Sequence, residues 1–143
     1  MLGYVGKYQR QLDERGRLIL PAKIREKLSE TVIVAPSPTD ECLNLYPEEE
    51  WQAIAEKVSA LPTVTNRSAA AFQRWLFGNA ISCEIDKQGR IPLNEELMEY
   101  AGMEKDVVIV AVNSKFEIWA GDKLVNPTRE KMREDIAEFD ILI

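Results

Sequence analysis

The strongest constraint on the fold is a turn motif that the chain carries twice, 73 positions apart. The stretch "DERGRLILPAKIREKL" begins at Asp13, and the stretch "DKQGRIPLNEELMEYAG" begins at Asp86. Each copy has a glycine three residues after the aspartate and an arginine directly after the glycine. These glycines and arginines are Gly16, Arg17, Gly89 and Arg90. A motif repeated together with its flanking pattern predicts two copies of one structural unit.

The repetition continues beyond the turns. The tetrapeptide "VIVA" occurs at 32–35 and again at 108–111, and "LNLYPEEEW" aligns with "FEIWAGDKL". Each unit spans about 45 residues, so we interpret the chain as a tandem duplication. The predicted divisions are a first unit at 5–47, connecting helices at 48–75, a second unit at 76–119 and a C-terminal helix at 120–143.

Local signals predict four short strands and one short helix in each unit. Aspartate at the first position and glycine at the last favour a type I turn, with the glycine closing a three-residue hairpin. In the first unit we expect strands at 8–12, 17–20, 31–35 and 42–46, and a helix at 21–28 opened by Pro21. In the second we expect strands at 80–85, 90–93, 106–112 and 115–119, with a helix capped by Asn94 and closed at Gly102. The fold class is therefore α+β, mainly β.

Three further segments have helical periodicity. The segment 47–61 carries apolar residues at helical spacing from Trp51 to Leu61, and the segment 66–78 has Asn66 as a cap and a dense apolar end. The C-terminal segment places Met132, Ile136 and Phe139 on one stripe. We interpret these stripes as core or subunit interface. Because each unit is small, we expect the two to pair, and we expect an oligomer larger than a dimer.

The charge is distributed unevenly along the chain. The net charge is −6, but residues 1–27 hold seven lysines and arginines against three acidic residues, which leaves −10 on the rest. A basic patch on an acidic body binds phosphate through local potential, although a merely solvated surface has the same composition. The candidate DNA-binding residues are Lys7, Arg10, Arg15, Arg17, Lys23, Lys87 and Arg90, and the turn-forming residues are Asp13, Gly16, Asp86 and Gly89.

Several classes of function lack the residues they need. The chain has no histidine, the usual base for serine and cysteine nucleophiles, and neither a P-loop nor a dinucleotide fingerprint occurs. Cys42 and Cys83 lie in strand-like runs and suit reduced, buried thiols. We therefore predict no catalysis, no metal, no cofactor and no small-molecule substrate. The sequence also lacks an apolar run of membrane-spanning length and a signal-peptide pattern, which predicts a cytoplasmic protein.

An arginine directly after each turn glycine has two interpretations. A guanidinium on a rigid sheet suits phosphate oxygens or the O6/N7 edge of guanine. Alternatively, an Asp–Arg pair only fastens the hairpin. The cations near Arg17 in sequence favour the first interpretation for the first unit, whereas Arg90 has only Lys87 nearby. We therefore expect Arg17 to contribute more to DNA binding than Arg90.

The paired turns, the following "LILPAKIREKL", the "LNLYPEEEW" close and "WLFGNA" before the second unit together resemble the MraZ family. The resemblance covers roughly residues 1–120. It implies two SpoVT/AbrB-type domains, a tandem swapped-hairpin β-barrel with flanking helices, and a ring-shaped homo-oligomer. It also implies a nucleoid-associated regulator that binds double-stranded DNA at repeated promoter boxes of the cell-division and cell-wall gene cluster.

The second copy departs from the family pattern at two positions. Gln88 stands where the first unit has Arg15, itself a position at which relatives often have lysine, and Asn94 stands where the first unit has Pro21. Two other classes of function stay open: a scaffold protein that does not bind DNA, and an antitoxin-like interaction protein of the same fold.

Overall fold

The computed structural model describes residues 3–141 of the 143-residue chain. Strands and helices alternate in the same order in the two units. The strands are β1 (Tyr4–Gln11), β2 (Arg17–Ile19), β3 (Thr31–Pro36), β4 (Leu43–Pro47), β5 (Ile81–Glu84), β6 (Arg90–Pro92), β7 (Asp106–Asn113) and β8 (Phe116–Ala120). The helices are α1 (Ala22–Arg25), α2 (Glu48–Ser59), α3 (Arg67–Asn79), α4 (Glu95–Tyr100) and α5 (Arg129–Phe139).

The strands form one six-stranded antiparallel sheet and one two-stranded ribbon. The order in the sheet is β1-β7-β8-β4-β3-β5, and the ribbon pairs β2 with β6. The first strand of each unit therefore pairs with the third strand of the other unit: β1 with β7, and β5 with β3. Each strand lies as far from one edge of the sheet as its equivalent in the other unit lies from the other edge. The two units are therefore related by an approximate two-fold axis.

This exchange of strands replaces the local hairpin that the sequence predicts. The turn forms at Asp13–Gly16, but the strands on its two sides find their ladder partners in the second unit. β1 pairs with β7 along eight residues, and β2 pairs with β6 through Leu18 opposite Ile91. A two-stranded hairpin alone is marginally stable, and the exchange gives β1 a long partner inside a larger sheet. Neither unit completes its sheet without the other.

The hydrophobic core lies between the ribbon and the six-stranded sheet and draws on both units. Leu18 of β2 and Ile91 of β6 are fully buried, as is Ile118 of β8. These side chains pack with Leu45 of β4 and Phe116 of β8 in the same cluster. The alternation of buried and partly buried positions along β8 follows from the two-residue period of a strand.

The helices α2 and α3 cover the opposite face of the first half of the sheet. Val58 of α2 and Leu76 of α3 pack against Ala35 and Tyr46. Asn66 caps α3 as predicted, because its side chain accepts a hydrogen bond from the Ala69 N–H at 3.0 Å. The predicted apolar stripes of these two helices therefore serve largely as core within one chain.

Other boundaries differ modestly from the sequence-based expectation. β1 begins at Tyr4 rather than at residue 8, and α1 is a single turn inside the predicted 21–28. The predicted C-terminal helix at 120–143 is α5, which has no buried residue, and positions 142 and 143 lie outside the described residues. Cys42 and Cys83 are buried, unpaired thiols, and burial raises the pKa of each to about 11.

Candidate nucleic-acid interface

The first turn, residues 13–17, is organised by one carboxylate. Asp13 Oδ1 accepts hydrogen bonds from the backbone N–H groups of Arg15 and Arg17, both at 2.9 Å. Its other oxygen, Oδ2, accepts from Arg17 Nε at 2.6 Å. Gly16 donates its N–H to the Asp13 carbonyl and has φ +73°, the left-handed conformation that favours glycine. These hydrogen bonds close a tight turn around the Asp13 carboxylate.

The second turn, residues 86–90, repeats this arrangement atom for atom. Asp86 Oδ1 accepts from the N–H groups of Gln88 and Arg90 at 2.9 and 2.8 Å, and Oδ2 accepts from Arg90 Nε at 2.9 Å. Gly89 has φ +80°. Each arginine is thus held by its Nε atom, which fixes the direction of the guanidinium group.

Both turn carboxylates are stabilised in their charged form. Hydrogen bonds from the backbone N–H of Arg17 hold the pKa of Asp13 below its usual 3.8, with further lowering by the Arg17 side chain and the Arg15 N–H. The pKa of Asp86 is lowered in the same way by Arg90 and Gln88. Each turn is therefore an intact ion pair at neutral pH.

The β2–β6 ribbon brings the two arginines to one face. Arg17 lies opposite Pro92, and Ile19 lies opposite Arg90. Because residues opposite one another share a face and successive residues alternate, all four point away from the buried Leu18 and Ile91. Arg17 and Arg90 are diagonal neighbours on the two strands, so their Cα atoms lie about 7–8 Å apart. We call the exposed face of this ribbon, together with the two turns, the arginine ribbon.

The strand exchange also exchanges the helices that follow the ribbon strands. The Leu20 N–H donates to the Gly89 carbonyl at 2.9 Å, and the Leu93 N–H donates to the Gly16 carbonyl at 3.0 Å. As a result α1 of the first unit packs on the second turn, and α4 of the second unit packs on the first turn. Each turn is completed by the helix of the other unit.

One side chain from each helix lies directly on the opposite turn. A Cβ atom at Gly16 would meet the Met98 side chain at 3.3 Å, whereas a Cβ at Gly89 would overlap the Arg25 guanidinium. Met98 and Arg25 occupy equivalent positions, 73 residues apart. The two turns therefore have the same backbone and different neighbours.

The helix exchange reverses the charge environment that the sequence suggests. The α1 segment at 21–28 carries three lysines or arginines and one glutamate, and it lies against the second turn with Arg25, while Lys27 Nζ lies over the Tyr4 ring. The α4 segment at 94–100 carries three glutamates and no lysine or arginine, and it lies against the first turn. The second turn thus has the more basic surroundings, because cations close to Arg17 in sequence belong to the helix beside Arg90.

The remaining candidate DNA-binding residues are spread over the surface. Arg15 and Lys87 are exposed in the two turns, and Lys23 is exposed on α1 beside the second turn. Arg10 donates to the Gln9 carbonyl at 2.7 Å. Lys7 lies about 20 Å before Asp13 along β1. Its Nζ atom donates to the Asn126 side chain at 3.0 Å, so the structure separates it from the turns.

Arg25 is the residue that sequence reasoning missed. In the sequence it is one of three lysines and arginines in the segment 21–28, and no local pattern distinguishes it as a functional residue. Its position becomes visible only when the 73-residue offset pairs it with Met98 and the strands are known to be exchanged. The repeat shows that Arg25 and Met98 are equivalent positions, but the sequence alone does not say which turn each helix contacts.

No helix within residues 3–141 is long and apolar enough to span a membrane. The same residues contain no cluster of three or more histidine, cysteine, aspartate or glutamate side chains arranged to hold a metal ion.

The fold is a mixed α/β structure with an antiparallel sheet, built from two similar units. Its two-stranded ribbon presents a pair of arginines, each held by an aspartate carboxylate. The chain belongs to the MraZ family: the family model described as "MraZ protein, putative antitoxin-like" matches residues 4–74 and 76–125. The resemblance seen in the sequence is thereby confirmed.

Individual relatives match over nearly the whole chain. The "Transcriptional regulator MraZ" of Heliobacterium modesticaldum is 42% identical over 144 aligned positions, which cover 96% of this chain and 99% of the relative. The protein of the same name from Natranaerobius thermophilus is 40% identical with the same coverage. That of Carboxydothermus hydrogenoformans is 46% identical, covering 82% of this chain and 80% of the relative. Each of these names describes a transcriptional regulator and not an enzyme.

Proposed function

We propose that the protein is a DNA-binding transcriptional regulator that contacts double-stranded DNA through the arginine ribbon. The observation that carries the proposal is that Arg17 and Arg90 share one face of the β2–β6 ribbon, each anchored by an aspartate at Nε. The names of the relatives, all transcriptional regulators, support the same conclusion.

The geometry suits a duplex. A two-stranded ribbon fits the major groove, and anchored guanidinium groups reach guanine O6 and N7 or the flanking phosphates. Within the described residues, each ribbon arginine makes its side-chain hydrogen bond and ion pair through Nε alone. Its Nη atoms therefore remain available to an acceptor on DNA. The net charge of −6 does not oppose binding, because the interaction depends on the local potential at the ribbon.

The domain organisation belongs to the same proposal. Residues 5–47 and 76–119 form two SpoVT/AbrB-type domains whose exchanged first strands build a swapped-hairpin β-barrel. The reciprocal pairing of β1 with β7 and β5 with β3 supports this assignment. The connecting helices lie at 48–75, and the C-terminal helix lies within 120–143.

Self-association into a ring-shaped homo-oligomer is supported by apolar surface that one chain leaves uncovered. The outer face of the second half of the sheet includes Val5, which is 80% exposed, and its ladder partner Val112, which is 37% exposed. On α5, Met132, Ile136 and Phe139 are also exposed. Exposed apolar surface of this kind marks interaction sites.

The biological target follows from the family resemblance. We propose that the oligomer binds repeated promoter boxes upstream of the bacterial cell-division and cell-wall gene cluster, from the cytoplasm and in association with the nucleoid. Several ribbons on one ring would engage several boxes together, and linked binding events raise the overall affinity.

A direct test is an anisotropy titration with labelled duplex DNA taken from upstream of the protein's own gene, and with a scrambled duplex of equal length. We expect tighter binding to the upstream duplex and a logarithm of affinity that falls with the logarithm of salt by about 0.9 per phosphate contact. Equal affinity for the two duplexes together with a slope near zero would contradict the proposal.

An antitoxin-like interaction protein is the second candidate. The family description contains the word antitoxin-like, and α5 offers an exposed apolar stripe to a partner. A triple substitution of Met132, Ile136 and Phe139 by serine separates the two functions. If the protein is a regulator, the triple variant keeps its affinity for a one-box duplex, because the arginine ribbon is unchanged. A wild type that does not prefer the upstream duplex, but captures a partner protein that the triple variant does not capture, favours the interaction protein instead.

A further inference from the structure

Arg25 has unusual surroundings for a surface arginine. Its guanidinium lies on the backbone of Gly89, where no side chain heavier than hydrogen fits without displacing it. Its Nε atom is buried and has no hydrogen-bond partner. None of the ion pairs among residues 3–141 includes Arg25. A cation from the first unit is therefore held on the second turn without a compensating anion.

Such an arrangement is costly for the protein alone. A buried polar group without a partner loses its hydration and gains nothing in return. The nearest turn carboxylate offers no relief, because the oxygens of Asp86 already accept from Gln88 and Arg90. Arg90 follows Gly89 directly in the sequence, so the second turn carries two arginine side chains, of which only Arg90 is paired with a carboxylate.

An external anion supplies the counter-charge that Arg25 lacks. Phosphate oxygens accept hydrogen bonds from several guanidinium groups at once and neutralise their charge. We propose that Arg25 is a DNA-contacting residue that acts with Arg90 and Lys87 as a phosphate grip at the second turn, an inference that rests on the proposed DNA-binding function. The bound group is a phosphodiester of the duplex flanking the bases that the ribbon reads.

The first turn supplies an internal comparison. There the equivalent position is Met98, whose flexible side chain packs on Gly16 and carries no charge. The phosphate grip is accordingly present at one end of the arginine ribbon and absent at the other. The protein thus binds its DNA asymmetrically despite the approximate two-fold symmetry of the backbone.

Because Arg25 and Met98 occupy equivalent positions, each side chain can be tested at the other's position. Arg25→Met copies the side chain that the fold already accepts at this position, so packing on the glycine is kept while the charge is lost. Met98→Arg places the cation on the first turn. Lys57→Met is the matched control, because Lys57 is exposed on α2, which packs on the opposite face of the sheet. All variants are first compared with the wild type by thermal melting.

Affinity is then measured by anisotropy for the upstream duplex and for the scrambled duplex, over a range of salt concentrations. We expect Arg25→Met to weaken binding to both duplexes about tenfold and to lower the salt slope by about 0.9 for each grip engaged. Lys57→Met leaves both unchanged. Met98→Arg in the Arg25→Met background restores part of the affinity and the slope.

The outcomes separate this inference from the proposed function. Binding by the wild type that is unchanged in Arg25→Met, with no gain from Met98→Arg, would overturn the phosphate grip and leave the arginine ribbon standing. A wild type that does not distinguish the duplexes and has no salt slope would overturn both. If Arg25→Met melts early, the test is Met98→Arg made in the otherwise wild-type chain. A gain in affinity and in salt slope then supports the phosphate grip, and no change in either contradicts it.

Discussion

The two turns of the arginine ribbon share one backbone and differ in what lies on them. In each, an aspartate accepts two backbone N–H groups and an arginine Nε, and a glycine takes a left-handed φ. Met98 from an acidic helix covers Gly16, whereas Arg25 from a basic helix covers Gly89. The difference arises from the strand exchange, because each turn receives the helix of the other unit.

In a duplicated chain whose units exchange strands, residues that are neighbours in sequence come to lie beside different turns in space. The basic residues around Arg17 in the sequence suggest that the first turn dominates DNA binding. In the structure Lys23 and Arg25 lie on the helix beside the second turn, and Lys7 is bonded to Asn126 well away from both. We therefore now expect Arg90 to contribute at least as much as Arg17.

The largest expected effect comes from removing both arginines. Each bidentate contact with a base is worth about 1–3 kcal/mol, so Arg17→Ala with Arg90→Ala should weaken binding to the upstream duplex by at least about thirtyfold. An anisotropy titration at fixed salt measures the loss. Arg74→Ala, an exposed arginine on α3, is the control and should bind like the wild type. Retention of specific binding by the double variant would break the proposed role of the ribbon.

A smaller effect, on stability, tests whether the two turns have different neighbours. Alanine in the left-handed conformation costs about 1–2 kcal/mol at either glycine. Gly89→Ala should cost more than Gly16→Ala, because its new Cβ overlaps the Arg25 guanidinium, while Met98 is met at 3.3 Å and can shift. Chemical denaturation measures both free energies of unfolding.

A double-mutant cycle sharpens this test. Combining Gly89→Ala with Arg25→Ala should remove the extra cost, because the overlapping side chain is gone. Combining Gly16→Ala with Arg25→Ala should give additive effects. Additivity in both combinations would mean that Arg25 does not lie on the second turn, and the exchanged placement of α1 would be wrong.

The smallest expected effect is the pH dependence, in which the two turns should behave alike. The folded-state pKa values of Asp13 and Asp86 are lowered below 3.8, so their contribution to stability is complete above that value and is lost as the pH falls through the folded pKa. The melting temperature should drop less steeply below about pH 4 in Asp13→Asn and in Asp86→Asn than in the wild type.

A control variant completes this prediction. Glu56→Gln removes an exposed carboxylate from α2 and should leave the acid transition as in the wild type. If both aspartate variants lose stability in acid like the wild type, the two ion pairs do not stabilise the fold. If only one of them differs, the two ion pairs are not equivalent and the turns do not behave alike.

Sequence reasoning located the turns to the residue because their chemistry is local. The spacing of Asp13 and Gly16 specifies the hydrogen bonds and the left-handed glycine with no reference to the rest of the chain. The caps of α3 and α4 were equally visible, since Asn66 and Asn94 each accept from a nearby N–H. Local rules of this kind predicted the elements well.

The strand exchange and the environment of Arg25 could not be derived in the same way. A hairpin and an exchanged pair of strands use the same turn residues. Which of the two forms depends on how many backbone hydrogen bonds and how much buried apolar surface each arrangement provides. β1 pairs with β7 through eight residues that lie about a hundred positions away in the chain. The residues that surround each turn follow from that choice.

The most direct test of the account compares Arg17→Ala with Arg90→Ala as single variants in one anisotropy titration, on the same upstream duplex and at one salt concentration. We expect both variants to lose affinity while their melting temperatures stay within a few degrees of the wild type, and we expect Arg90→Ala to lose at least as much affinity as Arg17→Ala. If both variants melt early and still bind the duplex with wild-type affinity, the arginines only fasten their turns, and the proposed DNA contact is contradicted.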